Sequence, residues 1–280
     1  MRKLFTILLL LLIPALGMAD QKPTQGAQIN WTHPLARGLV GAWLMNEGSG
    51  SKVNDLSRNG NDGIINSGTW KYGILSFTDG YVNIGKSIPK NFSNQFTCVI
   101  KFRLNAAPAT YQLIYSDWYD NTHYSIHFAI SDTVKPMLQL SSTGANYDNL
   151  TAPNALSAGN IYVEAATFNA GLFNLYENGK ISATPKTSGT VKSIFTGTVN
   201  DVWLFKKNQA PQPAPFPFLA DVEYCYVFNR ALTASEVAWL YQDPYAMFQR
   251  QNYAMNYGVA AAPGGIKWQV PNQAIIISKK

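Results

Sequence analysis

Phe173-Asn174-Leu175-Tyr176-Glu177-Asn178-Gly179-Lys180-Ile181 decides the fold class. Its first half alternates in the period of a strand, and Asn-Gly supplies both positive-φ residues of a type I′ hairpin turn. The stretch therefore predicts two antiparallel strands, Phe173 to Tyr176 and Lys180 to Ala183. Outward from it the same texture recurs. Phe96, Cys98, Ile100 and Phe102 share one apolar face of the run Phe96 to Leu104. Further runs are Leu39 to Leu44, two around Asp79-Gly80 within Gly73 to Ile84, Gln112 to Ser116, Tyr124 to Ile130, Met137 to Ser141, Ile161 to Phe168, Asp201 to Phe205, and Val222 to Phe228. Many short strands at near-regular spacing predict a sandwich or a closed barrel.

One helix interrupts the pattern. Thr233-Ala234-Ser235-Glu236 has the spacing of a capping box, Val237, Leu240 and Tyr241 follow at helical intervals, and Pro244 ends the run. A helix this short needs the sandwich to pack against.

Charged residues are only 14% of the chain and aromatics 13%, a balance that suits strands and turns. The formal charge of +6 comes from bases scattered singly, not banked with aromatics, so nucleic acid is not expected as a partner. Arg2 and Lys3, the apolar run Leu4 to Leu16 and the small residues Gly17 and Ala19 have the anatomy of a secretory signal peptide, predicting cleavage before Asp20. The protein is thus expected to be secreted, extracellular or on the cell surface, with the periplasm as an alternative, and without a membrane span in the mature chain. Residues 20–36 read as a polar tether, 37–248 as one domain, and 249–280 as a tail. Cys98 and Cys225 both lie on apolar strand faces. In an exported protein they could form a disulfide, or stay as two buried thiols.

Several segments, in this order, resemble the laminin-G-like, concanavalin A-like jelly-roll domains of secreted bacterial, metagenomic and phage proteins. They are Gly41-Ala42-Trp43-Leu44-Met45-Asn46-Glu47-Gly48-Ser49-Gly50, then Asp55-Leu56-Ser57-Arg58-Asn59-Gly60-Asn61-Asp62-Gly63, Asp79-Gly80-Tyr81-Val82, the Asn178-Gly179 hairpin, and Val227 to Val237. The resemblance covers roughly Arg37 to Phe248 and implies an all-β, two-sheet antiparallel sandwich with one short C-terminal helix. Glu164 departs from it, standing where the family usually has an apolar residue. The Pro-rich loop Asn208 to Phe216 is longer than expected.

The fold alone does not select a function, so candidate sites come from side chains. Trp118, Tyr119, Asp120, Asn121 and Tyr124 combine aromatic faces with short acids and an amide, the mix that sugar recognition needs. Tyr147-Asp148-Asn149 would join them if the loops converge. The alternative is that Trp118 and Tyr119 only cap the sandwich edge. Asp55, Asn59, Asn61 and Asp62 concentrate oxygens around glycines, and the resemblance implies that a structural Ca²⁺ could sit near such a loop. Glu223 could complete that metal site or, equally, receive hydrogen bonds from loop amides. An ordinary Asx-turn loop with Gly60 at positive φ is the competing explanation. By simple alternation Glu223 shares the inward face of Cys225 and Val227.

No Glu-x-Asp-x-Glu array, zinc-type histidine spacing, nucleophile elbow or phosphate loop occurs, so no enzyme is expected. The leading expectation is an exported, non-catalytic carbohydrate-binding or adhesion module that takes a glycan or polysaccharide. A structural protein of a surface, filament or virion, self-associating through the C-terminal tail, is the alternative. A divergent glycoside hydrolase ranks below both.

Overall fold

The structure is a computed structural model and describes residues 21–85, 88, 92–107, 110–118, 123–197, 201–206 and 218–249. The expected signal peptide, the Pro-rich loop core and the tail from residue 250 lie outside them.

Fifteen strands and one α-helix are present among the described residues. The strands are β1 (Leu39–Trp43), β2 (Lys52–Val53), β3 (Gly63–Lys71), β4 (Ile74–Asn83), β5 (Gln95–Leu104), β6 (Gln112–Trp118), β7 (Tyr124–Ile130) and β8 (Pro136–Ser141). They continue with β9 (Tyr147–Thr151), β10 (Ile161–Asn169), β11 (Leu172–Glu177), β12 (Lys180–Ile181), β13 (Lys186–Thr187), β14 (Trp203–Leu204) and β15 (Ala220–Phe228). Helix α1 (Ala234–Gln242) carries the expected capping box between Thr233 and Glu236.

All ladders are antiparallel, and one hydrogen-bonded path curls into two layers. The first layer runs β12-β11-β10-β5-β15, and the second β4-β14-β6-β7-β8-β9. Between them lies the main core, with Phe96, Phe102, Phe128, Phe168 and Phe173 fully buried. The Asn178-Gly179 turn has both residues at positive φ, 49° and 77°, as its sequence requires.

Strand β15 is the seam between the layers. On one side it pairs with β5 along its length. On the other, Ala220 to Val222 pair with β4 and Cys225 to Phe228 with β1. The changeover falls at a bulge between Val222 and Tyr224. There the Lys22 ammonium donates to three carbonyls, Met45 O (3.3 Å), Gly73 O (2.7 Å) and Glu223 O (2.7 Å), meeting acceptors that the changing ladder leaves over.

A second apolar cluster covers the outer face of the first layer. Val99, Val163, Tyr224 and Tyr226 there receive Ile29, Leu35, Leu240, Met247 and Phe248 from the chain ends and the helix. Residues 22–36 are therefore not the loose tether that their polarity suggested. Ala27, Ile29, Leu35 and Ala36 are buried, and Ile29 bridges to Phe248. Among the described residues the chain ends do not pack on the outer face of the second layer, where Leu113, Ala129 and Met137 form a small buried cluster of their own, and this face carries the candidate site.

Candidate functional site

Strands β6 to β9 alternate, so their apolar residues fill the core while intervening ones face outward. Ile126 and Phe128, Leu138 and Leu140, and Leu150 point inward. Between them His127, Gln139 and Asn149 point outward in one line, because His127 pairs with Gln139 and Gln139 with Asn149. Ser116 continues the line on β6 and Trp203 on β14. Trp203 stacks on Tyr81 of β4, with centroids 3.8 Å apart and planes 12° apart.

An aromatic trio flanks this row. A bulge near Asp117 puts Trp118 opposite Tyr124, their centroids 3.8 Å apart in edge geometry. Tyr147 joins from β9, 6.0 Å from Trp118 and 5.8 Å from Tyr124. Trp118 and Tyr124 are half-buried and Tyr147 is exposed. The Trp118 ring also lies 4.1 Å from His127.

His127 is only 7% exposed, so it organises the row from beneath. Its Nε2 is 3.2 Å from Ser116 Oγ and its Nδ1 is 3.4 Å from Gln139 Oε1. With Nδ1 donating to that oxygen, the Gln139 Nε2 hydrogens point onward. Asn149 spends its Nδ2 on Thr151 Oγ1 at 3.3 Å, leaving its Oδ1 to accept. A donor and an acceptor thus stand side by side next to three aromatic rings.

Of the sequence candidates, the structure brings Trp118 and Tyr124 together and adds Tyr147 and Asn149, so these segments converge. Tyr119, Asp120 and Asn121 lie outside the described residues. Asp148 turns away to an ion pair with Lys186. Burial pushes the Asp148 carboxyl up, but bonds from Lys186, Ser188 and the Asn149 N–H outweigh it and hold it below its ordinary value. His127, Gln139, Ser116, Tyr81 and Trp203 were missed. Their signal was a polar or amphipathic residue at an outward position of a largely apolar strand.

The oxygen-rich loop is a closed hydrogen-bonded turn. Asp55 Oδ1 accepts from Ala42 N (3.0 Å) and Ser57 N (2.9 Å). Its Oδ2 accepts from Ser57 Oγ (2.7 Å) and Asn61 N (3.0 Å). Asp62 caps Asp55 N and pairs with Lys52. Asn59 and Asn61 turn their amide nitrogens to the Leu39 and Val40 carbonyls, and Gly60 has φ 72°. This donor set is already directed at N–H and O–H groups and does not fit a cation. Glu223 belongs to another network, and its expected face is corrected. As the extra residue of the β15 bulge it resets the alternation, so its carboxylate takes Lys101 (2.9 Å) and Tyr245 Oη (2.6 Å) on the outer side of the first layer.

Cys98 and Cys225 are free thiols in the core, their sulfurs 3.8 Å apart on neighbouring strands. Elsewhere, a recess of about 550 Å³ on the outer side of the first layer is lined by Lys101, Ile161, Asn178, Tyr241 and Pro244.

A family model described as concanavalin A-like lectin/glucanases superfamily matches residues 76–238, more than half of the chain. The chain belongs to this superfamily. No curated protein matches this superfamily member. Among solved structures, Trypanosoma rangeli sialidase in complex with sialic acid is similar to it at 15% identity and TM-score 0.55, over 75% of this chain and 33% of the sialidase. The superfamily member thus spans about a third of that enzyme's length. Domain 4 of AbnA, a GH43 extracellular arabinanase from Geobacillus stearothermophilus in complex with arabinotriose, is similar at 17% identity and TM-score 0.54, over 73% of this chain and 98% of that one. The Ruminococcus gnavus IT-sialidase CBM40 bound to α2,3-sialyllactose gives 17% identity and TM-score 0.50, over 63% and 97%. At these identities the likenesses show the fold alone. No helix among the described residues is long and apolar enough to cross a membrane.

Proposed function

We propose that the protein is an exported, non-catalytic carbohydrate-binding module whose site is the outer face of the second layer. The observation that carries this reading is the Trp118–Tyr124–Tyr147 trio beside the Gln139–Asn149 pair. The rings offer apolar faces to the C–H side of a sugar, and the amides match its hydroxyls. Two fold neighbours hold arabinotriose and sialyllactose, which supports this use of the scaffold. Export rests on the residue pattern of the first nineteen positions.

Glycosidic cleavage is the poorer reading. Glu164 and Glu177 do face each other, but Glu164 is fully buried and cannot flank a substrate.

A glycan array followed by calorimetry on the best ligand tests the proposal, with Trp118→Ala and Gln139→Ala as variants. Each is expected to weaken binding by about threefold to tenfold, the range of one aromatic or hydrogen-bonding contact, with the fold retained by circular dichroism. Undiminished binding by a folded Trp118→Ala protein would move the site elsewhere, the Tyr241 recess being the next place to look.

A further inference from the structure

Resting on the glycan-binding reading, we infer that this site selects uncharged sugars and discriminates against acidic glycans. Strands β4, β14 and β6 to β9 contain no lysine or arginine, although the chain has 22, and Lys71 of β3, which pairs with β4, is held by Asp221 and Ser76. The first layer, by contrast, carries Lys101 and Arg103 on β5 alone. Carboxylate recognition draws on charge-assisted bonds from lysine or, bidentately, from arginine. The second layer instead carries the acids Asp79, Asp117 and Asp148.

Among the described residues, the bases near these strands are placed for other work. Lys206, buried, donates to Asp79 at 2.8 Å. Lys186 is committed to Asp148 and the Asn149 carbonyl. Lys135 sits in the β7–β8 turn, at the opposite end of those strands from Trp118, Tyr124 and Tyr147. Of the histidines, His127 lies in the row beneath Trp118 with both nitrogens engaged, and His123 stands outside the row, just ahead of Tyr124.

What the face does offer is balanced. The open Nε2 donor of Gln139 beside the open Oδ1 acceptor of Asn149 matches neighbouring hydroxyls, each of which both donates and accepts. A carboxylate only accepts. Set against Asn149 Oδ1 it would leave two acceptors facing each other in a partly dry site, an arrangement that costs binding.

The test compares matched probes by array and calorimetry: lactose with α2,3-sialyllactose, and arabinan and xylan with polygalacturonate. The neutral member of each bound pair is expected to bind at least tenfold more tightly, with little dependence on salt up to 0.5 M (about a 4 Å screening length). Equal or tighter binding of the acidic member overturns this inference while leaving glycan binding intact. Failure to bind any carbohydrate overturns the reading beneath it. Asn149→Lys, on the edge strand, supplies the missing cation. It is expected to narrow the neutral-to-acidic gap several-fold, and an unchanged gap in the folded variant would also overturn the inference.

Discussion

Glu164 stands directly across from Glu177 in the β10–β11 ladder, and neither oxygen of its fully buried carboxyl has a hydrogen-bond partner among the described residues. Burial, reinforced by the charge of Glu177, pushes the Glu164 carboxyl well above its ordinary value of 4.5. The group is thus held neutral in the core, an expensive use of a strand position that alternation would fill with an apolar residue.

The sign of its pH effect follows. Above pH 4.5 the unfolded chain releases this proton and the native chain keeps it, so stability falls as pH rises toward the native-state value. Thermal unfolding across pH 4 to 8 is expected to show this decline. Glu164→Gln should flatten it, and Glu164→Leu should raise stability at pH 7 by about 1–3 kcal/mol. Parallel pH profiles for the wild type and Glu164→Gln would refute the assignment.

Lys22 predicts a loss. Lys22→Met leaves Met45 O, Gly73 O and Glu223 O without their shared donor. Denaturant unfolding should show a cost of about 1–3 kcal/mol, limited by the water that can enter when the segment lifts. Burial pushes the Lys22 ammonium down to about 8, against attraction from Glu223 and Glu47. Selective labelling at pH 8.5 should therefore find this amine more reactive per exposed area than other lysines.

The thiol pair predicts a redox asymmetry. Burial pushes the Cys98 thiol well up, aided by Cys225. A buried protonated thiol is a poor nucleophile. Reduced, folded protein should resist alkylation and yield two reactive thiols only on unfolding. Refolding under an oxidant is expected to close the pair, read as a loss of two mass units. Rapid alkylation of the native state would contradict this packing.

Asp55 predicts a structural role in its loop. Asp55→Ala removes one acceptor for four donors, and unfolding should show a cost of about 2–4 kcal/mol. Calcium or a chelator is expected to leave the melting temperature of the wild type unchanged. A calcium-dependent rise of several degrees would show that the carboxylate sheds its donors for the ion.

Strands with clean alternation were readable from sequence: Tyr124 to Ile130 and the Asn178-Gly179 hairpin stand where their side-chain periods put them. Strand β3 was not, because its Gly-Ile-Ile-Asn-Ser-Gly-Thr-Trp-Lys run is half exposed and bulges at Ser67, φ 57°. That bulge also explains Gly80, where a Cβ would come within 2.5 Å of the Asn66 and Ser67 carbonyl oxygens. Glu223 was misplaced for a related reason: a single-residue bulge reverses every facing after it, and no local composition marks it. In the site, Trp118 and Tyr124 were legible as aromatics breaking a strand pair. Gln139 and His127 were not, since one polar residue in an apolar strand gains meaning only when register aligns it with others.

Ile29 and Phe248 meet on the covered side of the first layer, the face turned away from Trp118. Gln28 and Gln249 run side by side there, the Gln249 N–H donating to the Gln28 carbonyl at 2.8 Å, so the two ends of the domain are tied to each other and to the side opposite the aromatic trio.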